Sequence, residues 1–467
     1  MDDRRVAMTA SVGPGLVGRE RTMAIAAVLG AMVLAVLDAA IVNVALPTMA
    51  RSLQVTPAAA VGIVTAYQAA LVMGLLPCAA LGDKLGHRRV FTAGVVLFTL
   101  ASGGCAESGS LPALLAARFV QGLGAAAVMA LGIALLRRVV PPRELGAAIG
   151  WNALAVALSS AAGPALGAAV LSFADWPWLF ALNLPFGVAV LFATRALPDS
   201  PGTGRSLDRF SVTLHAVAFA SLVVGAEMLA TTPDRAGGLL LMAVVSGTVL
   251  IRRELKRDVP LVPFDLLRAV SFRRSVLASV CCFAGVTLAL LALPFHLQHQ
   301  LGRSALATGL LMMPWPLTVA VAAPLAGHLA SRVPTAWLCG AGASLLCGGL
   351  AIASLLPVHG GAGPLVWTTV ACGLGFGLFQ VPNNRNMFLS TPAERSGAAG
   401  GMQGTARLVG QTIGGIGMSL LFALAPTGSA PRIGLGLAAG LALAAAAISL
   451  ARTEPTPASD PSPCTPP

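Results

Sequence analysis

Apolar runs of about 20 residues recur from one end of this 467-residue chain to the other. Each is long enough to cross a hydrocarbon layer roughly 30 Å thick. A backbone in that layer has to satisfy its own N–H and C=O groups, so the runs have to be helices. Hydrophobic residues make up 56% of the chain and charged residues 10%, whereas a soluble surface of this size carries far more charge. The expected fold class is an all-α integral membrane protein. Its spans fall near 22–47, 59–81, 90–107, 111–136, 144–172, 179–197, 210–230, 236–251, 273–297, 304–330, 335–356, 363–388, 397–425 and 432–451, the eighth being the shortest.

The basic residues test that count. If the chain starts in the cytoplasm and alternates sides, 24 of its 30 Lys and Arg residues lie on inner segments. Only Arg51, Arg235, Arg303 and Arg432 lie outside, and Arg118 and Arg407 fall within helices. A missed or invented helix would swap every later loop, so fourteen spans with both termini cytoplasmic satisfy the positive-inside rule. The net charge of +12 is then a topological signal. Spread over separate loops without aromatic interleaving, it does not suit nucleic acid as a partner. The Arg-bearing tail leads into a full-length span, which argues against a cleaved leader. Seven of the eight cysteines sit in or beside apolar spans without a CxxC pair and read as small apolar fillers. His296 and His299 lack a matching Cys or carboxylate, so neither a metal nor another cofactor is expected.

The chain divides into a tail (1–21), a six-helix block (22–198), two further helices (199–251), a charged linker (252–272), a second six-helix block (273–452) and a proline-rich tail (453–467) expected to be disordered. Within the linker, PFDLLR reads as a short amphipathic piece on the inner surface. A weak repeat relates the blocks: aligning the ends of their second helices sets Leu81 against Leu329, Asp83 against Ser331 and Lys84 against Arg332, each after a proline, Pro77 or Pro324. Related halves are the pattern of transporters that rock about a central site.

Several stretches carry a family resemblance. LDAAIVNVALP (37–47) resembles the opening-helix motif of the fourteen-helix drug:proton antiporters of the major facilitator superfamily. AALGDKLGHRRVF, RFVQGLGAA, GPALGA and WPWLFALNLPFG are similar to its later first-half motifs. PFHLQHQLGRSALATGLLMMP, GLGFGLFQVPNNRNM and ERSGAAGGMQGTARLVGQTIG extend the match through the second half. Gly62, Ala79 and Pro177 depart from the usual residues. The resemblance implies two six-helix bundles with two inserted helices. It also implies an inner gate at Asp83, Gly86 and Arg88, with Asp83 meeting the start of the helix near Gly397. Gly163, Pro164 and Gly167 match the antiporter motif, which suits close helix packing as well as it suits sealing against leak.

The residues suggest how such a machine would couple. Asp38 is the one acid deep in the first block, and a charge there costs at least about 2.5–3.5 kcal/mol unless it is paired, hydrated or protonated. At 1.5 Å per residue, Asp38 lies about 14 Å and Arg118 about 11 Å from the outer side, so the two can face each other. Asp38 is read as a proton carrier and Arg118 as its counter-charge; a static polar clamp is the blander reading. Candidate substrate contacts are Asn43, Tyr67, Gln121, Glu227, Met312, Trp315, Phe379, Gln380, Asn383, Asn384, Arg407 and Gln411. Core packing suffices for the apolar ones and interfacial snorkelling for Glu227. Arg407 and Gln411 share a helix face with no acid in a nearby span.

The function expected is proton-driven export of amphipathic, cationic or neutral toxic compounds by a monomer in the cell membrane of a bacterium. A dedicated exporter of an endogenous product is the alternative. A membrane enzyme or receptor lacks any catalytic constellation or sensory domain.

Overall fold

The computed structural model describes residues 18–141, 144–199, 202, 208–229, 232–256, 264–330, 332–356, 362–391, 395–426 and 428–452. The expected tails therefore lie largely outside the described residues. The first bundle comprises α1 (Gly18–Ser52), α2 (Pro57–Leu85), α3 (His87–Ala106), α4 (Leu111–Val139) and α5 (Leu145–Phe173), then a broken sixth crossing, α6 (Pro177–Ala181) and α7 (Asn183–Ala193). A hairpin of α8 (Arg209–Met228) and α9 (Pro233–Glu254) follows. The second bundle contains α10 (Val270–Phe295), a broken crossing of α11 (Ala305–Met312) and α12 (Pro314–Leu329), then α13 (Thr335–Leu355), α14 (Ala362–Leu389), α15 (Ser396–Leu424) and α16 (Ala430–Leu450). The chain thus crosses fourteen times as an all-α fold of two six-helix bundles plus two helices, and no strand occurs among the described residues.

The breaks follow from proline. Pro185 lacks the N–H that would bond Ala181, and Pro314 the one that would bond Leu310, so the crossings split at Leu182, about a turn before Pro185, and at Met313, directly before Pro314. Pro47 acts differently: α1 continues through it to Ser52, past the expected end at 47. Asp38 is consequently about 21 Å from the end of its helix, not about 14 Å. The eighth crossing is not the shortest, because Pro233 opens it and Arg252 and Arg253 close it beyond the apolar stretch, giving 22 residues. The weaker crossing is α8, whose apolar part is Phe210–Ala226.

Between α2 and α3 the chain turns within one residue. Gly86 has φ 102° and its N–H bonds Gly82 O at 2.8 Å, a conformation a side chain would strain. At the same end of the bundle, which carries most of the basic residues, Arg21 pairs with Glu144 and ties α1 to the start of α5. The linker residues Phe264–Arg268 form a 3-10 turn. Leu266 of that turn packs among Phe272, Met387, Ala399 and Met402, and Asp265 pairs with Arg395 just before α15. The Arg395 guanidinium, donating to the Asp265 carboxylate, holds that acid below its ordinary range.

The bundles meet along two seams. On one side α5 packs against α11, where a Cβ on Gly309 would lie 2.4 Å from Pro164 O. On the other, α2 runs antiparallel to α15 along its whole height, from Leu76 beside Gly401 to Ala58 O, which accepts from Ser419 Oγ at 3.3 Å. The α8–α9 hairpin covers this second seam. His215 Nε2 lies 3.2 Å from Val72 O of α2, and Val223 and Ala226 pack with Ala69 and Ile416. At the end away from the basic loops, Gln298 Nε2 donates to Val44 O at 3.1 Å, within a cluster shared by α1, α2, α10 and α11.

Inside the first bundle α3 and α4 touch through backbone. A Cβ on Gly124 would sit 2.6 Å from Phe98 N and 2.7 Å from Gly94 O. Gly124→Ala should therefore lower the thermal midpoint of the purified protein, overpacking costing about 1–3 kcal/mol. Gly436→Ala, with no atom within 4 Å of the new methyl, should not lower it.

Candidate functional site

Four helices bring polar side chains to one point in the first bundle. Asp38 comes from α1, Ser102 from α3, Arg118 and Gln121 from α4 and Asn183 from the start of α7. All are buried, Asp38 at 2% exposure and Arg118 at 0%. Arg118 donates to Asp38 Oδ2 at 2.5 Å and to Gln121 Oε1 at 2.6 Å, and its Nε donates to Ile63 O at 3.1 Å. Asp38 Oδ1 accepts from Asn183 Nδ2 at 2.7 Å and from Gln121 Nε2 at 3.0 Å. Gln121 Nε2 also donates to Ser102 Oγ at 2.8 Å. The guanidinium lies 4.3 Å from the Tyr67 ring centroid and 5.5 Å from that of Phe180, and Tyr67 OH donates to Ala35 O at 3.2 Å. A low-dielectric interior tolerates such an ion pair only when the remaining lone pairs and protons are also satisfied. Here three donors meet the carboxylate.

The network borders the α5 motif. A Cβ on Gly163 would lie 2.4 Å from Ala40 Cβ, and one on Gly167 3.1 Å from Ile41 Cγ2, so α1 rests directly on α5. An adjacent face of α5, with Pro164 and Ala168, holds α11 of the other bundle. One helix therefore touches both the neighbours of Asp38 and the second bundle.

The other candidates are dispersed. Tyr67 and Gln121 belong to the Asp38 network itself. Asn43 is partly buried, and its Oδ1 has no hydrogen-bond partner, as is true of Asn384 Oδ1. Met312, Trp315 and Phe379 are packed inside the apolar core. Asn383 donates to Ser279 Oγ at 2.8 Å and to Ser275 O at 3.2 Å, and it accepts from Arg452. It staples the end of α16 within the second bundle. Gln380 is partly buried on the same helix. Glu227 lies in α8, but its side chain is outside the described residues. Arg407 and Gln411 stand on α15 at the α2 seam.

At the basic end, Asp83 Oδ1 lies 3.0 Å from His87 Nε2 with its side chain 61% exposed. The helix expected near Gly397 is α15, which starts at Ser396, but the side chains of residues 396–398 are outside those described, and the expected contact of Asp83 with them is therefore outside as well. Arg88 donates to Asp199 Oδ1 at 2.6 Å and to Arg195 O at 3.1 Å, bracing α3 against the end of the sixth crossing. Sequence reasoning overlooked Asn183 and Ser102. Asn183 had a signal, an amide inside the otherwise apolar WPWLFALNLPFG stretch; Ser102 had none.

Residues 28–415 match the family description "Major Facilitator Superfamily". The chain belongs to the Major Facilitator Superfamily. It is 45% identical over 414 residues to the "Uncharacterized transporter YebQ" of Escherichia coli (strain K12), covering 87% of this chain and 90% of that protein. It is 33% identical over 387 residues to the "Multidrug resistance protein Stp" of Mycobacterium tuberculosis, covering 81% and 71%. A solved POT family transporter in complex with a thioalcohol-conjugated peptide matches with a TM-score of 0.71 over 91% of this chain and 94% of that one. At 14% identity that likeness bears on the fold alone. As a Major Facilitator Superfamily member, this protein is a multi-pass secondary transporter of small molecules and not an enzyme.

Arg118→Gln would leave Asp38 without its cation, and breaking a buried pair from one side costs about 3–5 kcal/mol. The thermal midpoint should fall sharply. The double variant Asp38→Asn, Arg118→Gln removes both charges and should regain most of that loss, read by the same melting measurement.

Proposed function

We propose that this transporter is a proton-driven antiporter exporting amphipathic, toxic small molecules, of the drug:proton type, with Asp38 as proton carrier. The observation that carries the reading is the Asp38–Arg118 pair, 1% exposed on each side chain, in a bundle otherwise built of apolar helices. A drug-resistance relative covering most of the chain supports the direction of transport. The setting is the cell membrane of a bacterium, with both termini cytoplasmic and the protein acting as a monomer.

The ionised carboxylate accepts from three donors. Once protonated it carries an O–H where a donor already points, and Arg118 has no acceptor capacity to receive it. The contact between α1 and α4 then loosens. Movement of α1 passes to α5 through Ala40 and Ile41 against Gly163 and Gly167, and from α5 to α11 through Pro164 and Gly309. In this way one proton biases the arrangement of two packed bundles, a discrete change rather than a continuous deformation. Asp83 acts at the basic end as a second contact between states, released when the bundles part.

The test uses proteoliposomes with an imposed proton gradient and a fluorescent amphiphile. Wild type should expel the dye only with the gradient, and Asp38→Asn should lose gradient-driven export at matched reconstitution. Wild-type rates from Asp38→Asn would end the carrier role. Asp83→Asn should also lose export, while remaining as abundant in the membrane fraction as wild type.

A further inference from the structure

Along α15 the glycines sort into two faces. Cβ atoms on Gly410 and Gly414 would meet Val280 O, Phe283 and Ala284 O of α10, inside the second bundle. Cβ atoms on Gly404 and Gly415 would instead meet α2 of the first bundle, at 3.5 Å from Leu75 Cδ2 and 2.6 Å from Thr65 Cγ2. Arg407 and Gln411 stand between Gly404 and Gly415 at helical spacing, so they belong to the seam face. Arg407 is about 17 Å along a helix some 43 Å long, well inside the membrane.

Among the described residues this guanidinium has no counter-charge: no hydrogen bond or ion pair reaches Arg407, and its Nε is buried without a partner. Arg118, fully buried, is neutralised by Asp38, whereas Arg407, half-buried, has no such partner among the described residues. The hydroxyl of Tyr67, close enough to interact with Arg407 electrostatically, already donates to Ala35 O. Beside Tyr67, the Oε1 of Gln68 is a buried acceptor without a partner, 3.6 Å from a Cβ placed on Gly415. A free cation and a free acceptor thus face one seam from opposite bundles.

An unpaired guanidinium in a low-dielectric site attracts an anion strongly and repels a cation equally strongly. Its planar fork suits a carboxylate or phenolate oxygen. We propose that Arg407, with Gln411 and Gln68, is the recognition point for an anionic oxygen group on the transported amphiphile. The transporter would then prefer organic acids over quaternary ammonium cations. The proposal rests on the exporter reading above and alters its substrate class, from the cationic or neutral compounds expected of the sequence to organic acids.

Three probes sharing one fluorophore test it: 1-pyrenebutyrate, 1-pyrenebutanol and the trimethylammonium analogue of the same chain. Binding is measured by fluorescence on purified protein in nanodiscs, for wild type, Arg407→Gln and Arg407→Lys, each checked by its melting curve. Wild type should bind pyrenebutyrate at least about tenfold tighter than the ammonium probe, as one uncompensated charge at low dielectric requires. In Arg407→Gln that ratio should fall to near one, and in Arg407→Lys it should be intermediate. Equal binding of the three probes by wild type, no binding of any of them, or a ratio that survives Arg407→Gln overturns the proposal. So does an Arg407→Gln protein that keeps the ratio in binding but loses proton coupling, which would make Arg407 a partner of Asp38 in another state. The exporter reading fails separately, if reconstituted wild type moves none of the probes under a proton gradient.

Discussion

Hydrocarbon supplies no hydrogen-bond partner, and this protein nevertheless keeps an acid and a guanidinium inside a bundle of apolar helices. Asp38 and Arg118 are tolerated because each satisfies the other and because Gln121, Asn183, Ser102 and Ile63 O take up the remaining donors and acceptors. That requirement fixes the mutual placement of α1, α3, α4 and α7, since a displaced helix would leave a charge without its partners. The surrounding fold can be apolar and closely packed only because this one cluster is complete. Breaking any arm of it is costly, and a proton is the least disruptive species able to do so.

Close packing transmits the consequence. Glycines let α5 lie against α1, and on an adjacent face α5 receives α11 with backbone almost in contact. The second seam, α2 against α15, is flanked by the α8–α9 hairpin, whose contacts reach both bundles. The two inserted helices therefore cover one side of the interface, whereas α5 and α11 form the other. Among the described residues the second bundle holds no buried acid–base pair like that of the first. There Asn383 and Arg452 are occupied with bracing helix ends, and Arg407 is left to face the seam alone.

Much of this was legible in residue order. Run lengths placed the fourteen crossings within a few residues of their helices, because the cost of an unsatisfied backbone in lipid leaves no other solution. The misplacements have local causes. Pro47 looked like an end, but a long helix held by its neighbours passes through it. Pro185 and Pro314 looked innocuous inside apolar runs, yet each removes a donor and splits its crossing. Asp38 and Arg118 stood out as isolated charges and were expected to face each other, although the distance of Asp38 from its helix end was underestimated because α1 runs on to Ser52.

Their partners were harder to read. Asn183 and Ser102 come from helices distant in sequence, and nothing in hydropathy marks which face of a helix turns toward an acid. Asn383 looked like a pocket residue and is a brace; Arg407 looked equally ambiguous and stands uncompensated. By itself the sequence determined the solvent, the crossings and the identity of the lone charges, because those follow from transfer energies that each segment carries alone. Only the tertiary structure decided which charges are cancelled and which are left open, because cancellation depends on distances between helices that no single segment contains.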